Sequence, residues 1–81
     1  MALTRLQKET AINEQTRLSD LTSEYAGNGR ANKAMKAFNM RALMGKVVNE
    51  QMTIYDFMDT LVLKEDIKYY TLLFNLEEEC V

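Results

Sequence analysis

GNGRANKAMKAFNMRALMGKVVN, residues 27–49, contains both the one clear break in the chain and its most informative helix. Glycine tolerates the left-handed conformation that ends a helix, so Gly27-Asn28-Gly29 reads as a stop, with Asn28 available to cap the next helix. That helix then runs from about Arg30 to about Asn49. At 100° per residue, Ala31, Ala34, Met35, Phe38, Ala42 and Gly45 fall within one arc about 100° wide. Met40, Leu43, Met44 and Val47 form a second apolar arc on nearly the opposite side. A helix with two apolar faces is either packed on both or packed on one and presented on the other. The small residues of the first arc allow another helix to approach closely. The fold expected from this stretch is an all-α, compact bundle of three to four helices with the second helix central.

Towards the N-terminus, Thr4-x-x-Gln7 has the pattern of a capping box, which opens a first helix that ends at Gly27. Leu18, Leu21 and Tyr25 follow the spacing of a buried stripe. Continued backwards, that stripe meets Glu14, Ala11, Gln7 and Thr4, which are poor core residues. The first three turns are therefore expected to dock loosely or to await a partner. Towards the C-terminus, Thr53 caps a short third helix over about 53–62. Asp56 answers it at the third helical position, and Met52 is placed to staple onto Phe57. Ile54, Phe57, Met58, Leu61 and Val62 form its apolar stripe. A turn near Leu63–Asp66 leads to a fourth helix, whose first-turn acids Glu65 and Asp66 suit the positive end of the dipole. Its apolar residues spread over roughly 220° of the circumference, by the same helical step. Ile67, Tyr70 and Phe74 are assigned to the core, whereas Tyr69, Leu72 and Leu76 are expected to face outward.

The 81 residues suit one domain, 1–81, with no internal repeat or linker. The absence of proline and the presence of only three glycines permit long helices. One cysteine, Cys80, excludes an internal disulfide and favours a reducing compartment. No signal peptide or membrane span is read, so the expected location is cytoplasmic, the host cytoplasm for a viral chain. The net charge of −2 hides a segregation. Residues 27–48 hold five basic groups and no acid, while residues 49–81 hold two basic and eight acidic groups.

The chemistry of catalysis is thin. There is no histidine, which removes the commonest general base and metal ligand. Ser19 and Ser23 lack a nucleophile-elbow context, and Cys80 sits beside Glu77, Glu78 and Glu79, which disfavour a thiolate. Asp56 and Asp59 share a helical face but supply too few oxygens for a hard cation. No enzyme activity, cofactor or metal is expected. The function expected instead is regulation by direct protein binding through an apolar helical surface made of Met40, Leu43, Met44, Val47, Tyr69, Leu72 and Leu76. The partner is another protein, a second copy of the chain, or both. Methionine-rich surfaces adapt to the helices they receive. In size, methionine content and catalytic poverty the chain resembles, in style alone, the small helical inhibitors and antiholin-like factors of bacteriophages. Two alternatives stand beside this reading. Arg30, Lys33, Lys36, Arg41 and Lys46 make a basic helix that could meet nucleic acid, although on the wheel they scatter instead of forming a phosphate-tracking stripe. A structural homo-oligomer could bury the surplus apolar area of the fourth helix.

Overall fold

In the computed structural model residues 3–76 are described, and all regular structure among them is helical: α1 (Arg5–Gly27), α2 (Ala31–Val48), α3 (Ile54–Asp59) and α4 (Lys64–Leu73). Cys80 and the run Glu77, Glu78 and Glu79 lie outside the described residues. Cap chemistry explains the helix boundaries. Thr4 Oγ1 accepts from the Gln7 amide and Gln7 Oε1 accepts from the Thr4 amide, both at 3.1 Å, so the first turn of α1 is reciprocally capped. Three helices end alike. Gly29, Glu50 and Asn75 each adopt a positive φ (73°, 59° and 54°) immediately after the C-cap residues of α1, α2 and α4. The next amides along, those of Arg30, Gln51 and Leu76, donate back to the carbonyls of Tyr25, Lys46 and Thr71 at 2.8, 2.9 and 2.9 Å. This is the Schellman arrangement, which satisfies carbonyls that a helix end would otherwise leave bare. Asn28 serves it as the C-cap of α1 and does not cap α2, whose N-cap is Arg30 without a side-chain bond.

Glu50 is the costly member of the three, because its Cβ crowds the backbone in the left-handed region. Its side chain is exposed and makes no hydrogen bond or ion pair among the described residues. Glu50→Gly is therefore expected to stabilise the fold by about 1 kcal/mol. A lowered midpoint in denaturant-induced unfolding would contradict this account of the α2 terminus.

α1 and α2 form an antiparallel hairpin. Lys33 lies over the Tyr25 ring at 5.7 Å, Arg41 donates to Ser19 Oγ at 3.1 Å, and Gly45 backs onto the Gln15 side chain, so partners advance along α2 as they retreat along α1. Ala34 and Gly45 lie on the α1 side of α2, where small residues permit this approach. α3 and α4 pack against this hairpin. Ala11 and Leu18 from α1, Met44 and Val47 from α2, Ile54 and Phe57 from α3, and Tyr70 and Phe74 from the α4 region make one core. Three aromatic rings form its centre. Tyr70 meets Phe57 edge to face at 4.9 Å and stacks on Phe74 at 6.3 Å.

α3 is shorter than its apolar stripe implies. The Thr60 hydroxyl donates to the Phe57 carbonyl at 2.6 Å, and the Leu61 amide donates to Met58 at 3.1 Å, which tightens the end into i→i+3 turns. At the other end Thr53 Oγ1 accepts from the Asp56 amide at 3.0 Å, but the expected answer from the Asp56 carboxylate to the Thr53 amide is not made, so the cap is one-sided. Thr53→Ala removes that acceptor and is expected to cost about 0.5–2 kcal/mol. An unchanged unfolding midpoint would deny Thr53 the role.

Candidate protein-binding surface

Two features organise the surface: a polar cluster that fixes α4 on α1, and an apolar trough beside α2. The cluster centres on Glu14, whose side chain is only 3% exposed. Arg17, one turn later, donates from Nε to Oε1 at 2.7 Å and from Nη2 to Oε2 at 2.6 Å. Tyr70 donates its hydroxyl to Oε2 at 2.7 Å, and Tyr69 donates to Oε1 at 3.2 Å. The Arg17 guanidinium also lies 5.0 Å from the Tyr69 ring centre. An ionised carboxylate has about four acceptor positions, and here all are taken. A carboxylate so saturated serves as a structural anchor, with no lone pair to offer a proton or a metal. The second and third turns of α1 are thus firmly docked, since Ala11 and Glu14 are buried and continue the stripe from Leu18. The first turn, Arg5–Lys8, has no buried residue and leaves Leu6 72% exposed.

Electrostatics derive from the same contacts. Its hydrogen bonds to Glu14 hold the Arg17 guanidinium more firmly protonated than usual. Burial, reinforced by the bond to Glu14 and by its charge, pushes the Tyr70 hydroxyl well above the ordinary tyrosine range. Burial chiefly, and then the Glu14 charge, raises Tyr69 as well. A group whose folded pKa is raised contributes fully below its unfolded pKa, and that contribution is lost as pH rises through the folded value. Stability is therefore expected to hold up to about pH 10, where an unfolded tyrosine begins to ionise, and to decline above it. Tyr70→Phe should make that decline shallower in unfolding curves recorded across the alkaline range. An unchanged slope would mean that Tyr70 does not carry it.

The expected binding residues divide three ways. Met44 and Val47 belong to the core, with no exposed surface, and cannot be presented to a partner. The arc that contained them faces α3 and α4. Met40 and Leu43, from the edge of the same arc, are half-buried and line the trough. On α4, Leu72 is 66% exposed and Tyr69 is exposed along one edge with its hydroxyl held by Glu14, whereas Leu76 is half-buried against the core. Ile67, assigned to the core from its spacing, is exposed instead. Tyr70 and Phe74 fill the interior and leave Ile67 at the rim.

The trough runs between α2 and the α3–α4 connection, with a volume of about 500 Å³. Met35, Met40, Leu43, Leu61, Val62 and Leu63 supply its apolar lining. Val62 is 89% exposed and Met35 is 64% exposed. The outward position of Met35 and Phe38 was not distinguishable from their wheel positions, since both sit on an arc that also holds the buried Ala34.

The basic helix is only partly engaged within the chain. Lys36 pairs with Asp66 at 2.8 Å, the one ion pair between α2 and the acidic C-terminal third among the described residues. Arg41 binds Ser19 and lies 5.6 Å from the Phe38 ring centre, and Lys33 covers Tyr25. Arg30 and Lys46 are exposed. Among the described residues, no helix is long and apolar enough to cross a membrane, and no group of three or more potential metal-ligating side chains converges.

Comparison of the chain with protein-family models, with curated proteins and with solved structures finds no match in any of the three.

Proposed function

We propose that the chain is a small non-enzymatic regulatory protein that acts by binding another protein. In this reading α2 is the central helix, packed through Met44 and Val47 and presented through Met35 and the trough beside it. The observation that carries the proposal is the exposure of Val62 and Met35 on opposite walls of that trough. Contiguous apolar surface of this kind is uncommon on a monomer without a use. Methionine side chains can repack around whatever enters, which suits a groove that receives a helix. The Glu14 cluster supports the same reading, since a binding face needs rigid backing.

The test is a photoreactive residue placed at position 62, compared with one at Asp20 on the exposed side of α1, in the native cell. A defined protein should be captured from position 62 and not from position 20, and Leu43→Glu should abolish the capture. Identical products from both positions would overturn the proposal. The nucleic-acid alternative has less support, because Lys36 is already paired with Asp66 and the remaining cations point to different sides of α2. Steeply salt-dependent binding to DNA would restore it. The homo-oligomer alternative rests on Leu72 and requires sedimentation to report self-association that Leu72→Glu removes.

A further inference from the structure

The outer face of α2 has a chemistry that specifies its occupant. Ala31, Met35, Phe38 and Ala42 recur at spacings of four, three and four, so they form one ridge within an arc of about 60°. Met35 and Phe38 are 64% and 52% exposed on that ridge, and Ala31 and Ala42 are also exposed. Cations straddle it. Arg30 and Arg41 lie along one flank and Lys46 along the other, whereas Lys36 turns away from the ridge to Asp66. No acid occurs anywhere in residues 27–48. Of the five cations in this segment only Lys36 has a carboxylate partner among the described residues. An apolar ridge between two positive flanks is the complement of an apolar stripe between two negative ones.

We infer that α2 receives one amphipathic α-helix of a partner protein, laid along its outer face, with carboxylates flanking the apolar stripe of that helix. The inference rests on the protein-binding reading and assigns the partner's chemistry. Met35 belongs to both the ridge and the trough, so a helix centred on it would touch Phe38 on one side and Val62 on the other. From Ala31 to Lys46 the face is about 22 Å long, enough for about four turns of partner helix. A second copy docking α2 on α2 would set cation against cation, which disfavours that pairing. A nucleic-acid backbone would need its phosphates to cross Phe38 and Met35 to reach both flanks.

The experiment uses two stapled helical peptides of about fifteen residues, identical in a leucine stripe of four-three-four spacing. One carries glutamates beside the stripe and the other lysines. The glutamate peptide should bind at least about tenfold more tightly, with an advantage that shrinks as salt is added. Arg41→Glu with Lys46→Glu should reverse the preference. Met35→Ser with Phe38→Ser should abolish binding of both peptides with circular dichroism unchanged, since both residues are exposed. Equal affinities, no binding, or a preference that survives the charge reversal would overturn the inference. So would a concentration-dependent dimer in sedimentation that Met35→Ser dissolves. If position 62 still captures a defined protein after any of those failures, the protein-binding reading stands and only the acidic helix is wrong. If that capture also fails, both fall.

Discussion

Glu14→Ala should lower the unfolding free energy by about 2–4 kcal/mol, the largest effect expected from a single polar substitution in this chain. Removing the carboxylate leaves the Tyr70 hydroxyl in the core with no acceptor and breaks the only hydrogen bonds from α1 to α4 among the described residues. Arg17 moderates the loss, because its side chain is 45% exposed and can turn to water. A domain of this length has a total stability of roughly 4–12 kcal/mol, so the loss is a substantial fraction of the whole. The cost belongs to an orphaned partner and is not a measure of the cluster's net worth. Glu14→Leu with Tyr70→Phe removes acceptor and donor together and should recover much of the stability. Denaturant titration of the two single variants and the double one gives the coupling directly. Additive losses would show that the cluster does not act as a unit.

Phe57→Ala should cost about 3–5 kcal/mol. Phe57 is fully buried and sits edge to face on Tyr70, so truncation opens a cavity at the centre of the aromatic group. The consequence extends to α3, since a six-residue helix has too few internal hydrogen bonds to persist without packing. Ile54 and Phe57 are its buried side chains. Loss of near-ultraviolet circular dichroism at tyrosine wavelengths should accompany the lowered unfolding midpoint. A cost below about 1 kcal/mol would place the core elsewhere. Phe57→Leu, which keeps most of the volume, should be milder.

Helix existence and most helix ends were legible in the residues alone. Thr4-x-x-Gln7, Gly27-Asn28-Gly29 and Thr53-x-x-Asp56 are cap signals whose hydrogen bonds form between residues at most a few positions apart. Such bonds depend on local chain geometry, so a linear reading can find them. Their limits were also local. The end of α3 at Asp59 came from the Thr60 hydroxyl reaching back to Phe57, which the apolar stripe alone did not reveal.

Only the tertiary structure decided which apolar side chains are inside. Met44 and Met35 are chemically the same residue on one helix, yet Met44 has no exposed surface and Met35 stands in solvent. Burial depends on where neighbouring helices cross, and the chain has more apolar residues on α2 and α4 than its neighbours can cover. Ile67 lost its expected place in the core for that reason, and Val62 was left bare. Glu14 is the sharpest case. Its position on the stripe through Leu18 was readable, and Arg17 one turn away was the available signal of a paired carboxylate. A charged residue at a core position nevertheless looks like a fault until its partners are known. Those partners, Tyr69 and Tyr70, lie more than fifty residues further along the chain. Desolvating a carboxylate is unfavourable unless every lone pair finds a donor, and only the folded arrangement of α1 against α4 assembles four of them in one place.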